Sequence, residues 1–455
     1  MCPFNGLTQI LLLILAIILI NTVVINALSI KFENESVTVH MDETISVPYT
    51  ILKDTADEYE DDGTYLLQLK SNDGNIATID QEIYVTYNEL PKYASMNVTG
   101  VFLGKTSVSC RNVKKNKTLD GALDVIVIRK HRLIDTIFTV SVATLVSIIY
   151  INFGCFLNWG ELKRNLKRPV GPVIGLCSQF IFMPLLSYGL GRVLFPESPE
   201  MQLGMFFTGV APSGGASNIW TLVLDGNVDL SITVTSLGNF VALLMMPLWI
   251  FSLGKLIFNQ AKLVVPYRHI ATSAFGLIIP LAIGYLLTRY CKNLASFLAR
   301  ILKGLSSLLL LFIIVFATVT NLYLFKIFSW KIVVAGMALP YLGFTAAFIL
   351  SKILRQADPD CLAIAIETGI QNTGIAIFLL RFSLTQPAAD LTTVCPVAVS
   401  MMTPIPLVGI YIYKKIQARI RGPSKHMNNN EGILRNTEEP ECYTITRQEE
   451  ERPET

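Results

Sequence analysis

Glu367-Thr368-Gly369-Ile370-Gln371-Asn372 and Gly214-Gly215-Ala216-Ser217-Asn218 interrupt stretches that are otherwise apolar. A carboxylate at mid-membrane costs about 3 kcal/mol on insertion scales, so a chain keeps one only where partners satisfy it. Glycine beside Ser, Asn and Gln frees backbone amides and carbonyls that lipid cannot hydrogen-bond. Broken helices in matching places of two halves point to the binding site of a secondary transporter. The two runs therefore predict a helical carrier whose site they build together.

The surrounding chain agrees with that reading. Its 455 residues are 52% hydrophobic and only 16% charged, with a mean hydropathy of +0.50, which places it among polytopic membrane proteins. Nine spans are expected from Leu133 onward, at about 133–157, 169–192, 202–223, 229–253, 269–289, 302–322, 331–352, 361–380 and 391–413. Lys and Arg gather on one side of these spans, at Lys163, Arg164, Lys167, Arg168, Arg300, Lys303, Lys352, Arg355, Lys414, Lys415 and Arg419 among others. The positive-inside rule makes that side cytoplasmic. The net charge of +3 singles out no partner, and no nucleic acid is expected.

Ahead of the spans the residues change in kind. Residues 1–27 resemble a signal peptide, with an apolar run from Ile10 to Ile20 and a cleavage position after Ala27. An uncleaved anchor helix is the alternative, and either one exports the chain beyond it. Within 28–130, alternating runs recur at Ser36–Val39, Thr64–Leu69, Glu82–Tyr87 and Ala122–Ile128, bounded by Asn, Asp and Gly. That pattern predicts a small β-sandwich-like ectodomain. Glycosylation sequons fall at Asn34, Asn97 and Asn116, all inside it. The eight cysteines are scattered without metal-binding spacing, and Cys110 alone lies in this region. It is either a free thiol or an intermolecular bridge. Residues 131–415 form the expected transmembrane domain, and the polar stretch 416–455 reads as a disordered cytoplasmic tail.

The polar groups inside the spans share one chemistry. Pro212 and its neighbouring glycines break the third span. Ser231 and Thr235, four apart, share a face at the start of the fourth. Gln179 lies in the second span, and Glu367, Gln371 and Asn372 lie in the eighth. Hydroxyl, amide and carboxylate oxygens suit a hard cation. A single carboxylate among neutral oxygens favours a monovalent one, so sodium is expected. For any one Ser or Thr alone, close helix packing remains the competing explanation. Aromatic residues such as Phe206, Phe207, Trp220, Phe240 and Trp249 read as core or lipid-facing positions before they read as a cargo surface. Asp225 and Asp229 read as candidates to cap the fourth span.

These motifs carry a resemblance. Gly214-Gly215-Ala216-Ser217-Asn218, Gly226-Asn227-Val228-Asp229-Leu230-Ser231, Glu367-Thr368-Gly369-Ile370-Gln371-Asn372, and Arg168-Pro169 with Gln179-Phe180 and Met183-Pro184 together resemble the bile acid/sodium symporters over roughly 133–415. The long N-terminal region resembles the branch of that family with ectodomains. The resemblance implies an all-α polytopic fold with inverted repeats and two broken helices crossing at the midplane. It implies one sodium ion held by Ser217, Asn218, Ser231, Thr235 and Glu367. It implies a second held by Gln179, Gln371, Glu367 and the backbone carbonyls of Thr368 and Ile370. Half-helix amides near Gly215 and Gly374, bordered by Thr221 and Asn372, would then face an organic anion such as a bile acid, a steroid conjugate or another carboxylate or sulfate.

Sodium would be a co-transported ligand, and no cofactor is expected. The runner-up function is a transport-inactive membrane receptor or adhesion-type protein that works through its ectodomain. A proton-coupled exchanger that titrates Glu367 also stays open. An enzyme is not expected, since His40, His131, His269 and His426 all lie away from the span centres. The lipid bilayer is the expected setting, with the plasma membrane favoured, the N-terminus extracellular or luminal and the C-terminus cytoplasmic. A homodimer is left open by the residues.

Overall fold

A computed structural model describes residues 28–53, 64–114, 116–130, 132–155, 169–260, 267–291, 293–294, 297 and 329–421. The signal-like segment, the expected span at 302–322 and the chain beyond Arg421 lie outside the described residues.

The N-terminal region is built from two β-sheets that share one core. Strands β1 (Leu28–Phe32), β3 (Thr44–Lys53), β5 (Ala77–Thr78) and β7 (Lys92–Gly100) form one sheet, in the order β5-β7-β3-β1. Strands β4 (Thr64–Ser71), β6 (Asp80–Thr86), β8 (Gly104–Asn112) and β9 (Lys117–Ile128) continue as β9-β8-β4-β6, while β2 (Ser36–His40) lies parallel to β9. Alternation produces the core directly. Val47, Tyr49, Ile51, Met96 and Val98 from one sheet meet Leu67, Leu69, Val108, Leu123 and Val125 from the other in one buried cluster. The sheets join where Ser29 pairs with Asp120. There Gly121 has φ 113°, and a Cβ would stand 2.0 Å from the Ile30 carbonyl oxygen. Only glycine meets both conditions.

The remainder is helical. Helix α1 spans Leu133–Cys155, α2 Val170–Leu194 and α5 Val228–Gln260. Between the last two lie α3 (Pro199–Val210) and α4 (Ala216–Val223). Then come α6 (Tyr267–Gly276), α7 (Ile278–Tyr290) and α8 (Trp330–Ile353). Next are α9 (Asp358–Gly369), α10 (Thr373–Ser383), α11 (Ala388–Leu391) and α12 (Val394–Met402). A separate unit begins with helix α13, Pro404–Arg421. Five helical stretches are long and apolar enough to cross a membrane: Leu133–Asn152, Val170–Leu194, Val228–Gln260, Trp330–Ile353 and Ala388–Gln417. The chain is thus mostly helical after a β-rich start.

Helices α1 and α7 pair through small residues. A Cβ on Gly154 would stand 2.3 Å from the Leu281 carbonyl oxygen, and one on Gly284 would stand 2.1 Å from that of Ile151. Cross-helix bonds reinforce the pair, since Thr288 Oγ1 donates to the Cys155 carbonyl at 3.1 Å. Such small-residue contacts are how helices associate where lipid supplies no hydrophobic drive. Of the broken helices, α9 packs against α2, α5 and α8, whereas α10 packs against α1 and α6 as well as α3 and α12.

Helix α2 carries a π-turn at Ser178–Phe182, just ahead of Pro184. Proline has no amide to offer the carbonyl four residues back, here Phe180. The Trp249 indole donates to that carbonyl at 2.7 Å instead. The irregular turn lies where Gln179 enters the site, in keeping with the frequent placement of π-turns at functional positions.

Candidate functional site

Both breaks consist of extended backbone. Pro212 forces the residue before it out of the helical region, and Ala211 has ψ 151°. In the other break Ile370 has φ −88° and ψ 101°. The two extended pieces pair antiparallel at Ser213 and Gln371. Gly214 N donates to the Ile370 carbonyl at 2.9 Å, and Asn372 N donates to the Pro212 carbonyl at 2.8 Å. Backbone groups freed by breaking one helix are therefore met by those freed from the other, which is what an apolar surrounding demands.

Beside this bridge lies Glu367, 1% exposed at the end of α9. Its Oε1 accepts from Ser217 Oγ at 2.7 Å, from Ser231 Oγ at 2.5 Å and from Thr235 Oγ1 at 2.8 Å. Thr235 Oγ1 also lies 2.9 Å from Oε2. Asn218 Oδ1 stands 2.8 Å from Ser231 Oγ and 3.4 Å from Thr235 Oγ1. Ser217 belongs to α4, Ser231 and Thr235 to α5, and Glu367 to α9, so three helices bring these oxygens to one point. Each hydroxyl has one proton. Ser231 cannot donate to Asn218 and Glu367 together, and Thr235 faces both carboxylate oxygens as well as the Ser231 carbonyl at 2.9 Å. Lone pairs outnumber hydroxyl protons around this buried carboxyl group. A small hard cation is the ligand that such a shell accepts.

Gln179 and Gln371 make the adjoining cluster. Gln179 Nε2 donates to Gln371 Oε1 at 2.8 Å and to the Ala211 carbonyl at 2.7 Å. Gln371 Nε2 donates to the Thr368 carbonyl at 2.7 Å. The Ile370 carbonyl is engaged by Gly214 N and by Ser213 Oγ, the latter at 3.4 Å. The side chains of Gln179 and Gln371 and the Thr368 carbonyl thus come together, whereas the Ile370 carbonyl is engaged by Gly214 and Ser213 of the other break.

The residues expected beside a cargo are more dispersed. Asn372 caps α10, its Oδ1 accepting from Ile375 N at 3.2 Å. Gly374 is buried one position into α10, and a Cβ there would first meet Asn372 Oδ1 at 3.4 Å. Gly215 lies on an exposed face ahead of α4. Thr221 sits further along α4, toward Gly226, whose amide donates to the Thr221 carbonyl at 2.8 Å. Its buried Oγ1 has no hydrogen-bond partner among the described residues. Phe206 and Phe207 are fully buried in the helical core.

Several contributors went unread in the sequence. Neither Asp225 nor Asp229 caps α5. Asn227 does, accepting from Leu230 N at 3.1 Å and donating Nδ2 to Asp360 Oδ1 at 2.7 Å. An Asn one residue before the helix start was the available signal. The Ala211 carbonyl joins the Gln179 cluster because Pro212 comes directly after it. The sequon residues Asn34, Asn97 and Asn116 are exposed on the β domain.

Similarity to known proteins points the same way as this geometry. The model of the Sodium Bile acid symporter family matches residues 143–327. The sodium-dependent organic anion transporter of Mus musculus is 32% identical over 257 residues, covering 56% of this chain and 67% of that protein. The ileal sodium/bile acid cotransporter of Cricetulus griseus is 28% identical over 309 residues, covering 66% of this chain and 87% of that one. Its Homo sapiens counterpart is 26% identical over 293 residues, covering 64% and 84%. The chain belongs to the sodium/bile acid symporter family, whose members are multi-pass membrane transporters and not enzymes.

Proposed function

We propose that this chain is a sodium-coupled symporter that imports an organic anion by alternating access. The observation that carries the reading is the convergence of Ser217, Ser231, Thr235 and Asn218 on the buried carboxylate of Glu367. An unpaired charge in an apolar interior is costly, so sodium enters this site first. A second sodium is held by Gln179, Gln371, Glu367 and the carbonyls of Thr368 and Ile370. Filling both sites fixes the two crossed breaks relative to each other. The half-helix amide ends near Gly215 and Gly374, with Thr221 and Asn372 alongside, then offer positive dipole to an anionic head group.

Rocking of one helix group against the other carries the cargo inward. Two sodium ions with one monoanion move net positive charge, worth about 2.3 kcal/mol per elementary charge per 100 mV. Uptake therefore depends on voltage as well as on the sodium gradient. The relatives named for bile acids and for organic anions support a carboxylate or sulfate cargo without narrowing it to one compound.

In this reading nine spans cross the plasma membrane. The β domain (28–130) lies outside behind the signal segment (1–27), the symporter domain occupies 131–415, and 416–455 is cytoplasmic. Glycans sit at Asn34, Asn97 and Asn116, and the carrier needs no cofactor.

A receptor that uses its helices only as an anchor has no use for a buried glutamate ringed by hydroxyls. Uptake of a panel of labelled anions, with sodium present or replaced by choline, separates the two. Sodium-dependent accumulation of at least one anion is expected. Identical uptake in both media would contradict the coupling.

A further inference from the structure

Arg129 lies directly after the last residue of β9 and precedes α1. Its guanidinium is buried, donating to Asp135 Oδ1 at 2.5 Å and to Asp390 Oδ2 at 3.5 Å. Its backbone amide donates to Gln386 Oε1 at 3.3 Å. On the far side of Asp390, Arg381 Nη1 lies 2.7 Å from Oδ1. Arg381 belongs to α10, the half-helix that begins beside the crossed breaks, and Asp390 belongs to α11. Asp135 lies in the first turn of α1, where its Oδ2 also accepts from Arg132 N at 2.9 Å. The chain of charges therefore runs from the helix pair α1–α7 to the group that holds the broken helices. The β domain has a second hold on that group. Leu103, 2% exposed, shares a buried apolar cluster with Met201, Met205, Ile332 and Val394.

We propose that Arg129 is the latch of a gate on the β-domain side of the carrier, closed while it bridges Asp135 and Asp390 and open once that bridge parts. The inference rests on the alternating-access reading above and adds the device that one side of it requires. Buried charges tolerate rearrangement only if none is left alone. Three arginines and two aspartates meet that condition, since Arg132 Nη2 also lies 3.4 Å from Asp135 Oδ1. On opening, Asp135 keeps Arg129 and Arg132 and Asp390 keeps Arg381, so neither buried aspartate is left alone. The bonds that break are the 3.5 Å contact to Asp390 and the 3.3 Å bond from Arg129 N to Gln386 Oε1. Leu103 keeps the β domain on the broken-helix group.

The test is a labelling experiment on the full chain in membranes, at one fixed sodium concentration and without cargo. Ser383, buried near the end of α10, becomes the reporter through Ser383→Cys. A membrane-impermeant maleimide is applied from the β-domain side. Cys361, buried near the start of α9, is monitored with a permeant reagent, and both adducts are read by peptide mass. Arg129→Gln is expected to speed labelling at position 383 at least fivefold while Cys361 does not rise, and Arg129→Lys is expected to change it less. Unchanged labelling at 383, or an equal rise at both thiols, would overturn the latch, because simple loosening moves both. Should Arg129→Gln not reach the membrane, Asp135→Asn opens the same bridge and leaves Asp390 paired. Since sodium is held constant, failure of sodium coupling would not mimic failure of the latch.

Discussion

Thr235 and Glu367 lie 132 positions apart, yet the threonine hydroxyl stands 2.8 and 2.9 Å from the two carboxylate oxygens. One proton serves both contacts only as a weakened three-centre bond, so lone pairs on the two carboxylate oxygens are left under-used. In the reading proposed above sodium takes up those lone pairs, which gives Thr235 a role beyond helix packing. Thr235→Val keeps the shape and removes the oxygen. Half-saturation of uptake by sodium should rise about tenfold, equal to about 1.4 kcal/mol, with surface expression unchanged. Sodium titration of uptake in cells measures it, and an unchanged midpoint would remove Thr235 from the site.

Gln179 lies in the π-turn of α2 and donates from there to Gln371 Oε1 and the Ala211 carbonyl. Gln179→Leu removes the donor to the Ala211 and Gln371 oxygens and leaves buried acceptors without a partner. Such a loss costs about 1–3 kcal/mol. The expected outcome is a lower cooperativity of uptake on sodium concentration, read as a Hill coefficient moving toward one. A variant that keeps the wild-type coefficient would argue for a single sodium site.

Cys110 is fully buried in the β core, and burial pushes its thiol up to about 12. The thiolate is the reactive form, so at pH 8 almost none is present. No maleimide adduct should form at Cys110 in the folded protein, and one should appear after unfolding in urea. This outcome favours the free thiol over a bridge between chains. A disulfide-linked dimer lost on mutation of Cys110 would contradict it.

The three sequons sit on exposed positions of the β domain. Each of Asn34→Gln, Asn97→Gln and Asn116→Gln should remove one step of mobility on a gel. Enzymatic deglycosylation should bring all forms to a common band. Full mobility retained in all three variants would place the domain on the non-glycosylated side of the membrane.

Much of the β domain and most of the oxygen cluster around Glu367 were legible, because both depend on local pattern. Strands β2, β4, β6 and β9 declared themselves by alternation. Strand β3 did not, since Pro48 interrupts it and proline within a run argues against a strand; here it sits opposite Ser95 in a paired position. Strand β7, with Ala94, Ser95 and Asn97, has too few large apolar residues to announce itself. Ser217, Ser231, Thr235 and Glu367 were legible because oxygen-bearing residues are rare inside apolar spans. Arg129 and Asp390 were not. They stand 261 positions apart, each beside a span end where a charge is ordinary, and no spacing links them.

The central claim is that Glu367 seats sodium, and thermal unfolding of the purified chain tests it most directly. Sodium chloride is titrated against choline chloride at constant ionic strength, with wild type and Glu367→Gln compared side by side. A ligand that binds only the folded state stabilises by about 2.7 kcal/mol at a hundredfold excess over its dissociation constant. The wild-type midpoint should climb with sodium while that of Glu367→Gln stays flat. A flat wild type, or an equal climb in the variant, would contradict the account.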